Sequence, residues 1–223
     1  MRRLIKNIAR LALFSSVLVS GIASAELFGM VNGRTADLSR APQQSVELGA
    51  SLAKFNSHDV QHLGLRINYK LNRSTVLYAD VGQSMFDPGD EADGVTFGVG
   101  GFWQLPGLFD ISNFAVHASF HRVDLDFSGL DNGLKGNAIV LEGLFSGKQP
   151  INQAGTLFFN ASIGLHRSAL RVTRLNADPD TDLDLMLSAG VVMETQSRSG
   201  EYYGSLFYVD HIGFGLGYRY YLN

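Results

Sequence analysis

The chain has 223 residues, and its 18 Lys and Arg against 21 Asp and Glu give a net charge of −3 at pH 7. Nucleic-acid binding needs a basic surface, so this balance argues against a nucleic-acid partner. The sequence contains no cysteine, which excludes a disulfide framework, a thiolate zinc site and a lipid-modified cysteine.

The first 25 residues have the pattern of a secretory signal peptide. A basic start precedes an apolar run over residues 11–19, and Ala23-Ser24-Ala25 supplies small residues at the cleavage positions. A membrane anchor is disfavoured, because a bilayer-spanning helix needs about 20 apolar residues. Removal of residues 1–25 would leave 14 Lys and Arg against 21 Asp and Glu, a net charge of −7.

Residues 26–44 lack the periodicity of a strand. They begin with apolar side chains such as Leu27 and Phe28 and continue with polar residues and Pro42. We interpret this stretch as a periplasmic N-terminal tail or a short plug. A further strand is the alternative, but it would make the strand count odd.

From Val46 onward, apolar side chains recur at every second position. In the last segment, residues 211–222, the even positions are apolar, and three glycines fall on the odd positions. A strand directs successive side chains to opposite faces, whereas three glycines would weaken a helix. Ten segments show this alternation: residues 46–55, 62–71, 75–83, 95–104, 114–123, 137–147, 157–166, 184–194, 201–208 and 211–222.

We therefore predict an all-β fold over residues 45–223: an antiparallel, transmembrane, up-and-down β-barrel with about ten strands, or eight as the alternative. A strand that crosses a bilayer at a tilt needs roughly 9–11 residues, and single-chain bacterial barrels have an even number of strands. The predicted periplasmic turns are residues 72–73, 105–112, 148–155 and 195–200. The predicted external loops are residues 56–59, 84–94, 124–136, 168–183 and 209–211.

Two soluble folds give the same alternation, a lipocalin-like barrel and a two-sheet sandwich. Both present their polar face to water, where Lys, Glu and Thr are common. Here the non-apolar face is rich in glycine with scattered charges, which suits a narrow polar lumen with hydrocarbon outside. Four aromatic residues near the predicted periplasmic end of the outward face fit an interfacial girdle: Tyr69, Trp103, Phe145 and Tyr220.

The signal peptide, the alternating terminal strand and the barrel pattern resemble small bacterial outer-membrane proteins of the OmpA-barrel, OmpX and OmpW kind. The resemblance implies a Gram-negative outer-membrane location, contact with outer-membrane lipid and lipopolysaccharide, and a monomer. The terminal strand is similar to the signal that those proteins present to the barrel-insertion machinery. That signal usually ends in an aromatic residue, whereas this chain ends in Tyr221-Leu222-Asn223.

Charged side chains on the inward face need partners, because an unpaired charge in a narrow lumen is costly. We predict a salt-bridge network that fills the lumen, with an ion-conducting path as the alternative. Barrel closure sets the first strand against the last, so Glu47 and Arg219 are expected to meet. The predicted members of the network are Glu47, Arg66, Lys70, Asp80, Glu142, Glu194 and Arg219.

His117, Ser119 and Glu142 are the residue types that acyl transfer needs, namely a base, a nucleophile and an orienting carboxylate. His117-Ala118-Ser119 superficially resembles the His-x-Ser pair of an outer-membrane lipid-A deacylase. The pair is predicted to face the lumen, away from lipid. We therefore expect no enzymatic activity and assign no catalytic residue.

The predicted external loops are acidic, with spaced carboxylates of the kind that bind calcium. The EF-hand pattern is absent, so we predict no metal site and no cofactor, and expect divalent cations to bridge these loops to lipopolysaccharide phosphates. The acidic residues are Asp87, Asp90, Glu91, Asp93, Asp124, Asp126, Asp131, Asp178, Asp180, Asp182 and Asp184. The predicted function is a structural, protective or surface-interaction role; a narrow pore for small solutes or ions and a lipid-A-modifying enzyme are the alternatives.

Overall fold

The computed structural model describes residues 29–55, 58–86, 92–108, 113–127, 133–151, 155–172, 180–195, 197, 199–209 and 211–222. The predicted signal peptide over residues 1–25 lies outside this part of the chain and stays a prediction. Within the described ranges, no helix has the length and apolarity needed to cross a bilayer.

Ten antiparallel strands form a closed barrel, in which sequence neighbours pair and the last strand pairs with the first. The strands are β1 (Gln44–Phe55), β2 (His58–Asn72), β3 (Thr75–Phe86), β4 (Ala92–Gln104), β5 (Phe114–Phe127), β6 (Gly133–Ile151), β7 (Gly155–Val172), β8 (Asp180–Glu194), β9 (Gly200–Val209) and β10 (His211–Leu222). A short 3-10 helix, Leu38–Arg40, precedes β1. The predicted up-and-down barrel is therefore confirmed, with ten strands rather than eight.

Apolar side chains lie on the outside of the barrel, as the alternation predicts. Leu65, Phe97 and Ile163 are 42%, 50% and 43% exposed, whereas Arg66 and His166 are buried. A continuous apolar surface of this kind is unfavourable in water and favourable against hydrocarbon. The outside of the barrel is therefore its lipid-facing side.

The strands are longer than the alternation indicated. The connection predicted over residues 124–136 is wrong at both ends, because β5 continues to Phe127 and β6 begins at Gly133. The sheet also continues into the predicted connections at residues 148–155 and 168–183. Beyond the hydrocarbon both faces of a strand meet polar surroundings, so the hydrogen-bonded ladder continues without an apolar pattern to reveal it.

Residues 29–43 form what we call the N-terminal segment, and its largely buried part, residues 29–38, lies inside the barrel. Val31 is buried against the wall at Gly215, where an added Cβ would lie 2.1 Å from Val31 Cγ1. Glycine is required there because any larger residue would push the segment away from β10. The side chain of Met30 lies similarly close to Gly64 on β2. Glycines on the inward face thus provide the space that the segment occupies.

The lumen is not uniformly polar, which corrects the expectation from the sequence. Inward-facing Tyr78, Phe102 and Leu144 pack with Ala36 and Leu38 of the N-terminal segment. Apolar side chains are stable on the inward face because the segment brings apolar partners to them. A second buried cluster contains Val31, Phe158, Val192, Tyr203 and Phe207.

Substitution of Leu65 by arginine tests the assignment of the apolar face to lipid. Leu65→Arg is expected to lower the free energy of unfolding by about 2–4 kcal/mol, because a guanidinium near the bilayer midplane is poorly solvated. Gln61→Arg is the matched control on the same face of β2, nearer its external end, and should cost less than about 1 kcal/mol. Urea titration of the protein in lipid vesicles measures both values. Equal costs at the two positions would contradict the assignment.

Candidate functional site

Five charged side chains of alternating sign lie next to one another across five neighbouring strands. In strand order β3, β2, β1, β10 and β9 they are Asp80, Arg66, Glu47, Arg219 and Glu201, and each is the register partner of the next. We call this row the charge ladder. Opposite charges on directly opposed positions attract one another, so the register of the sheet creates the row.

The arginines of the charge ladder bond to carboxylates on flanking strands. Arg66 donates from Nε and Nη2 to Asp80 Oδ2 at 3.0 and 2.8 Å. Arg219 donates from Nε to Glu47 Oε1 at 2.5 Å and also forms an ion pair with Glu201. Because Glu47 and Arg219 are 0% and 1% exposed, removal of one charge would leave a buried partner uncompensated.

The N-terminal segment contributes a further guanidinium to Glu47. Arg34 Nη2 lies 3.2 Å from Glu47 Oε1, and Asn68 Nδ2 donates to the same oxygen at 2.7 Å. The guanidinium of an arginine stays protonated in proteins. The Arg34 guanidinium therefore remains charged at neutral pH, and Glu47 receives hydrogen bonds from both the wall and the segment.

Backbone carbonyls of the N-terminal segment also accept hydrogen bonds from the charge ladder. Arg66 Nη2 donates to the carbonyl of Met30 at 2.9 Å, and Arg219 Nη2 donates to the carbonyl of Gly33 at 3.2 Å. An added Cβ at Gly33 would lie 2.1 Å from Cδ2 of Tyr203. Glycine at this position thus lets the backbone pass close enough to the wall for the carbonyl to be reached.

A second carboxylate holds the N-terminal segment from another part of the wall. Glu142 Oε1 accepts from Asn32 Nδ2 at 2.9 Å. The same oxygen lies 2.7 Å from His117 Nδ1, and His117 Nε2 lies 2.8 Å from the Tyr78 hydroxyl. His117 and Glu142 are register partners on β5 and β6. The segment is therefore bonded to β1 through Arg34 and to β6 through Asn32.

The His117-Ala118-Ser119 motif faces the lumen, as its parity indicates. His117 and Ser119 are 5% and 6% exposed, and both line a small cavity with room for about one water molecule. The two ring nitrogens of His117 contact Glu142 and Tyr78. The histidine and the carboxylate are thus brought together, but the base is hydrogen-bonded to a phenol rather than to the predicted serine nucleophile.

Lys70 and Glu194, two further predicted members of the lumen network, lie at the periplasmic end of the barrel. Lys70 Nζ donates to the carbonyls of Ser39 and Ala41 at 2.8 and 2.9 Å. Glu194 forms an ion pair with Arg40. Both residues therefore contact the N-terminal segment near its exit from the lumen.

Three residues of the site were not predicted from the sequence: Asn32, Arg34 and Glu201. Glu201 shares the inward parity of Tyr203 and pairs with Arg219 across the β9–β10 hairpin, so alternation together with hairpin register could have found it. Asn32 and Arg34 lie in a segment without periodicity, and no local pattern relates them to carboxylates 13 and 110 residues away. Only the closed barrel brings those groups together.

The four aromatic residues predicted for the girdle lie near one end of the barrel. Tyr69, Trp103 and Tyr220 are 47%, 38% and 50% exposed on the lipid-facing side. Phe145 is half-buried and packs against Phe114, with ring centroids 4.9 Å apart. The arrangement has the placement that an interfacial girdle requires.

The acidic residues predicted for the external loops are only partly described. Asp93 accepts a hydrogen bond from Gln83 at 3.4 Å, and Asp124 pairs with Lys135 at 3.2 Å. In the described part of the chain, no group of three or more His, Cys, Asp or Glu is placed to hold a metal ion. The predicted loop acids at positions 87, 90, 91, 131 and 178 lie outside the described residues.

No protein-family model and no curated protein matches the chain. Among solved structures, the translocator domain of autotransporter NalP from Neisseria meningitidis is similar, with a TM-score of 0.51 and 12% identity over 83% of this chain and 91% of that chain. The β domain of the Bordetella autotransporter BrkA has a TM-score of 0.44 and 14% identity, with 82% and 100% covered. A loop-deletion mutant of OmpT, an outer-membrane protein of Vibrio cholerae, has a TM-score of 0.40 and 14% identity, with 78% and 62% covered. The first of these likenesses shows that the fold is that of an outer-membrane β-barrel.

The prediction, made from the sequence, that the chain has no enzymatic activity is wrong. That prediction rested on the pair His117 and Ser119 facing the lumen, away from lipid. In the lumen, however, His117 contacts both Glu142 and Tyr78. A shared β-barrel fold carries many functions, so the fold alone does not assign or exclude an activity. The barrel therefore does not exclude catalysis.

Neutralisation of Glu47 tests whether the charge ladder stabilises the barrel. Glu47→Gln is expected to lower the free energy of unfolding by about 3–5 kcal/mol, because it leaves buried guanidiniums without their carboxylate. Glu194→Gln at the periplasmic end is the matched control, and its more exposed ion pair predicts a loss below about 1 kcal/mol. Urea titration followed by fluorescence of the single tryptophan, Trp103, measures both. Similar losses in the two variants would refute a special role for the ladder.

Proposed function

We propose that this outer-membrane β-barrel is a closed barrel with a structural, protective or surface-interaction role. In this proposal residues 29–43 are a resident plug, and residues 1–25 are removed on secretion. The barrel works as a monomer in contact with outer-membrane lipid and lipopolysaccharide. Its last strand, β10, is the strand that the barrel-insertion machinery recognises.

The sharing of Glu47 between wall and plug carries the proposal. Arg219 and Asn68 of the wall and Arg34 of the segment all bond to one buried carboxylate oxygen. Withdrawal of the segment would remove Arg34 from this group and Asn32 from Glu142. Loss of a hydrogen bond to a charged group costs roughly 1.5–3 kcal/mol, which favours a lumen that stays occupied.

The size of the barrel supports the same interpretation. Porins with open aqueous channels use about 16–18 strands, whereas ten strands enclose a much narrower space. Tyr78, Phe102 and Leu144 fill part of that space and pack against the segment. A narrow lumen that is occupied by buried ion pairs and by apolar clusters leaves little room for solute.

Planar-bilayer recording tests the plug. The mature chain is expected to give no conductance steps, whereas a chain that lacks residues 26–41 should give small, resolved steps because the lumen loses its filling. The double variant Asn32→Ala with Arg34→Ala keeps the segment but removes its two side-chain anchors, and it should open intermittently. Arg40→Ala, which changes the segment only near its exit, is the matched control and should stay closed.

Each other outcome of the recordings has a defined meaning. Conductance steps from the unmodified chain would show that the protein is a narrow pore and not a closed barrel. Silence from the deletion variant would show that residues 29–43 do not close the lumen, provided that its unboiled form still migrates as a folded barrel on a gel. Both results would overturn the proposal.

A structural or protective role also predicts a phenotype in cells. Loss of the chain is expected to increase sensitivity to detergent and to large antibiotics, because outer-membrane packing is weakened, while uptake of small nutrients stays unchanged. Growth inhibition and nutrient uptake are measured in cells with the gene deleted and in cells with the deletion complemented. Reduced nutrient uptake with unchanged detergent sensitivity would contradict the role and favour transport.

A further inference from the structure

Two arginines lie on the lipid-facing side of the barrel at the upper edge of its apolar surface. Arg122 on β5 and Arg167 on β7 share the outward parity of Phe120 and Leu165, which are 42% and 49% exposed, and both arginines are exposed themselves. They lie toward the end of the barrel opposite the start of β1, which is the external end of an outer-membrane barrel. On β5 and β7 these two arginines are thus the first outward-facing residues beyond the apolar, lipid-facing surface.

The two guanidiniums have no ion-pair partner within the described ranges. The neighbouring Lys135 on β6 is different, because it pairs with Asp124 at 3.2 Å and is thereby neutralised. Asp126, two residues further along β5, is also exposed, but it lies farther from the apolar surface. Arg122 and Arg167 are therefore the cations at the edge of the apolar surface that no described carboxylate neutralises, and the nearest unpaired acid on a neighbouring strand is Asp93 on β4. A cation at the hydrocarbon boundary costs little by itself, because its side chain reaches the polar interface, where it can pair with an anion.

The spacing of the arginines follows from the sheet register. Arg122 is opposite Asn137 on β6, and Arg167 is opposite Ile139 on the same strand. Two strand spacings and a two-residue offset place their Cα atoms about 12 Å apart. The two arginines therefore lie on either side of β6.

Among the described side chains, the unpaired positive charge at this edge lies on β5 and β7. On other strands, described outward positions just above the apolar surface are the neutral Gln61, Gln83 and Thr181 and the acidic Asp93. A general requirement for solubility at the external end would place charges around the whole circumference. The clustering on β5 and β7 instead indicates a local anionic partner.

We propose that Arg122 and Arg167 bind the two phosphates of one bisphosphorylated lipid A headgroup in the outer leaflet. The planar guanidinium matches phosphate with two parallel hydrogen bonds, and lipid A carries one phosphate at each end of its disaccharide. A lipid is favoured over a protein because the arginines lie on the barrel wall, directly above exposed Phe120 and Leu165, where acyl chains pack. The inference rests on the proposed contact with lipopolysaccharide and does not depend on the plug.

Binding of lipid A to the full mature protein in detergent micelles, with EDTA present, tests the site. The double variant Arg122→Gln with Arg167→Gln is expected to bind bisphosphorylated lipid A roughly 10- to 100-fold more weakly, as loss of charge-assisted hydrogen bonds predicts. The control variant Arg73→Gln with Lys148→Gln removes two exposed cations at the periplasmic end and should change affinity less than about twofold. Monophosphorylated lipid A should bind the unmodified protein about as weakly as the bisphosphorylated form binds either single variant.

Three results would overturn the inference. They are unchanged binding by the double variant, an equal loss in the control variant, and equal affinity of the unmodified protein for lipid A and for a phosphate-free glycolipid. Heat-dependent gel migration of every variant verifies that the barrel is folded. Conductance is measured separately, so failure of lipid binding is distinguishable from failure of the plug.

Discussion

The structure depends on one constraint, that no backbone polar group can face hydrocarbon without a hydrogen-bond partner. A sheet meets this constraint only when its edges are joined, and here β1 pairs with β10 over nine register positions from Gln44 to Leu52. Closure then fixes which face of each strand meets lipid and which meets the lumen. The apolar alternation, the inward charges and the enclosed N-terminal segment all follow from that division.

Closure also determines how charge is accommodated inside. Strands that each contribute one residue to the charge ladder become neighbours in the order β3, β2, β1, β10 and β9, so that signs alternate along it. The N-terminal segment adds Arg34 on one side and Asn32 on the other, where the wall supplies Glu47 and Glu142. The lumen is therefore filled by both polar contacts and apolar clusters, and the outside of the barrel faces hydrocarbon.

The parts that were predictable from sequence are those where one face meets lipid. Residues such as Leu65 and Phe97 alternate with glycine or charge because hydrocarbon and lumen impose different chemistry on successive positions. The path of residues 29–43 and the ends of β6 and β7 beyond the hydrocarbon were not predictable from sequence. In these parts both faces of the backbone meet similar surroundings, so apolar residues do not recur at a regular spacing. The pairing of Glu47 with Arg219 was foreseen from closure, whereas Arg34 required a long-range contact that no local pattern encodes.

The unequal strand lengths have a consequence at the periplasmic end. β6 and β7 pair with each other down to Ile151 and Gly155, beyond the last positions at which β5 and β8 accompany them. The hairpin therefore continues as a two-stranded ribbon in water, and unaccompanied strand edges are templates for association with other chains. Lys148 and Pro150 lie on this ribbon, and a lysine charge together with a residue that lacks an amide hydrogen discourages the addition of a foreign strand. Within the membrane every strand must be hydrogen-bonded to its neighbours, whereas in water this hairpin disfavours hydrogen bonding to additional strands.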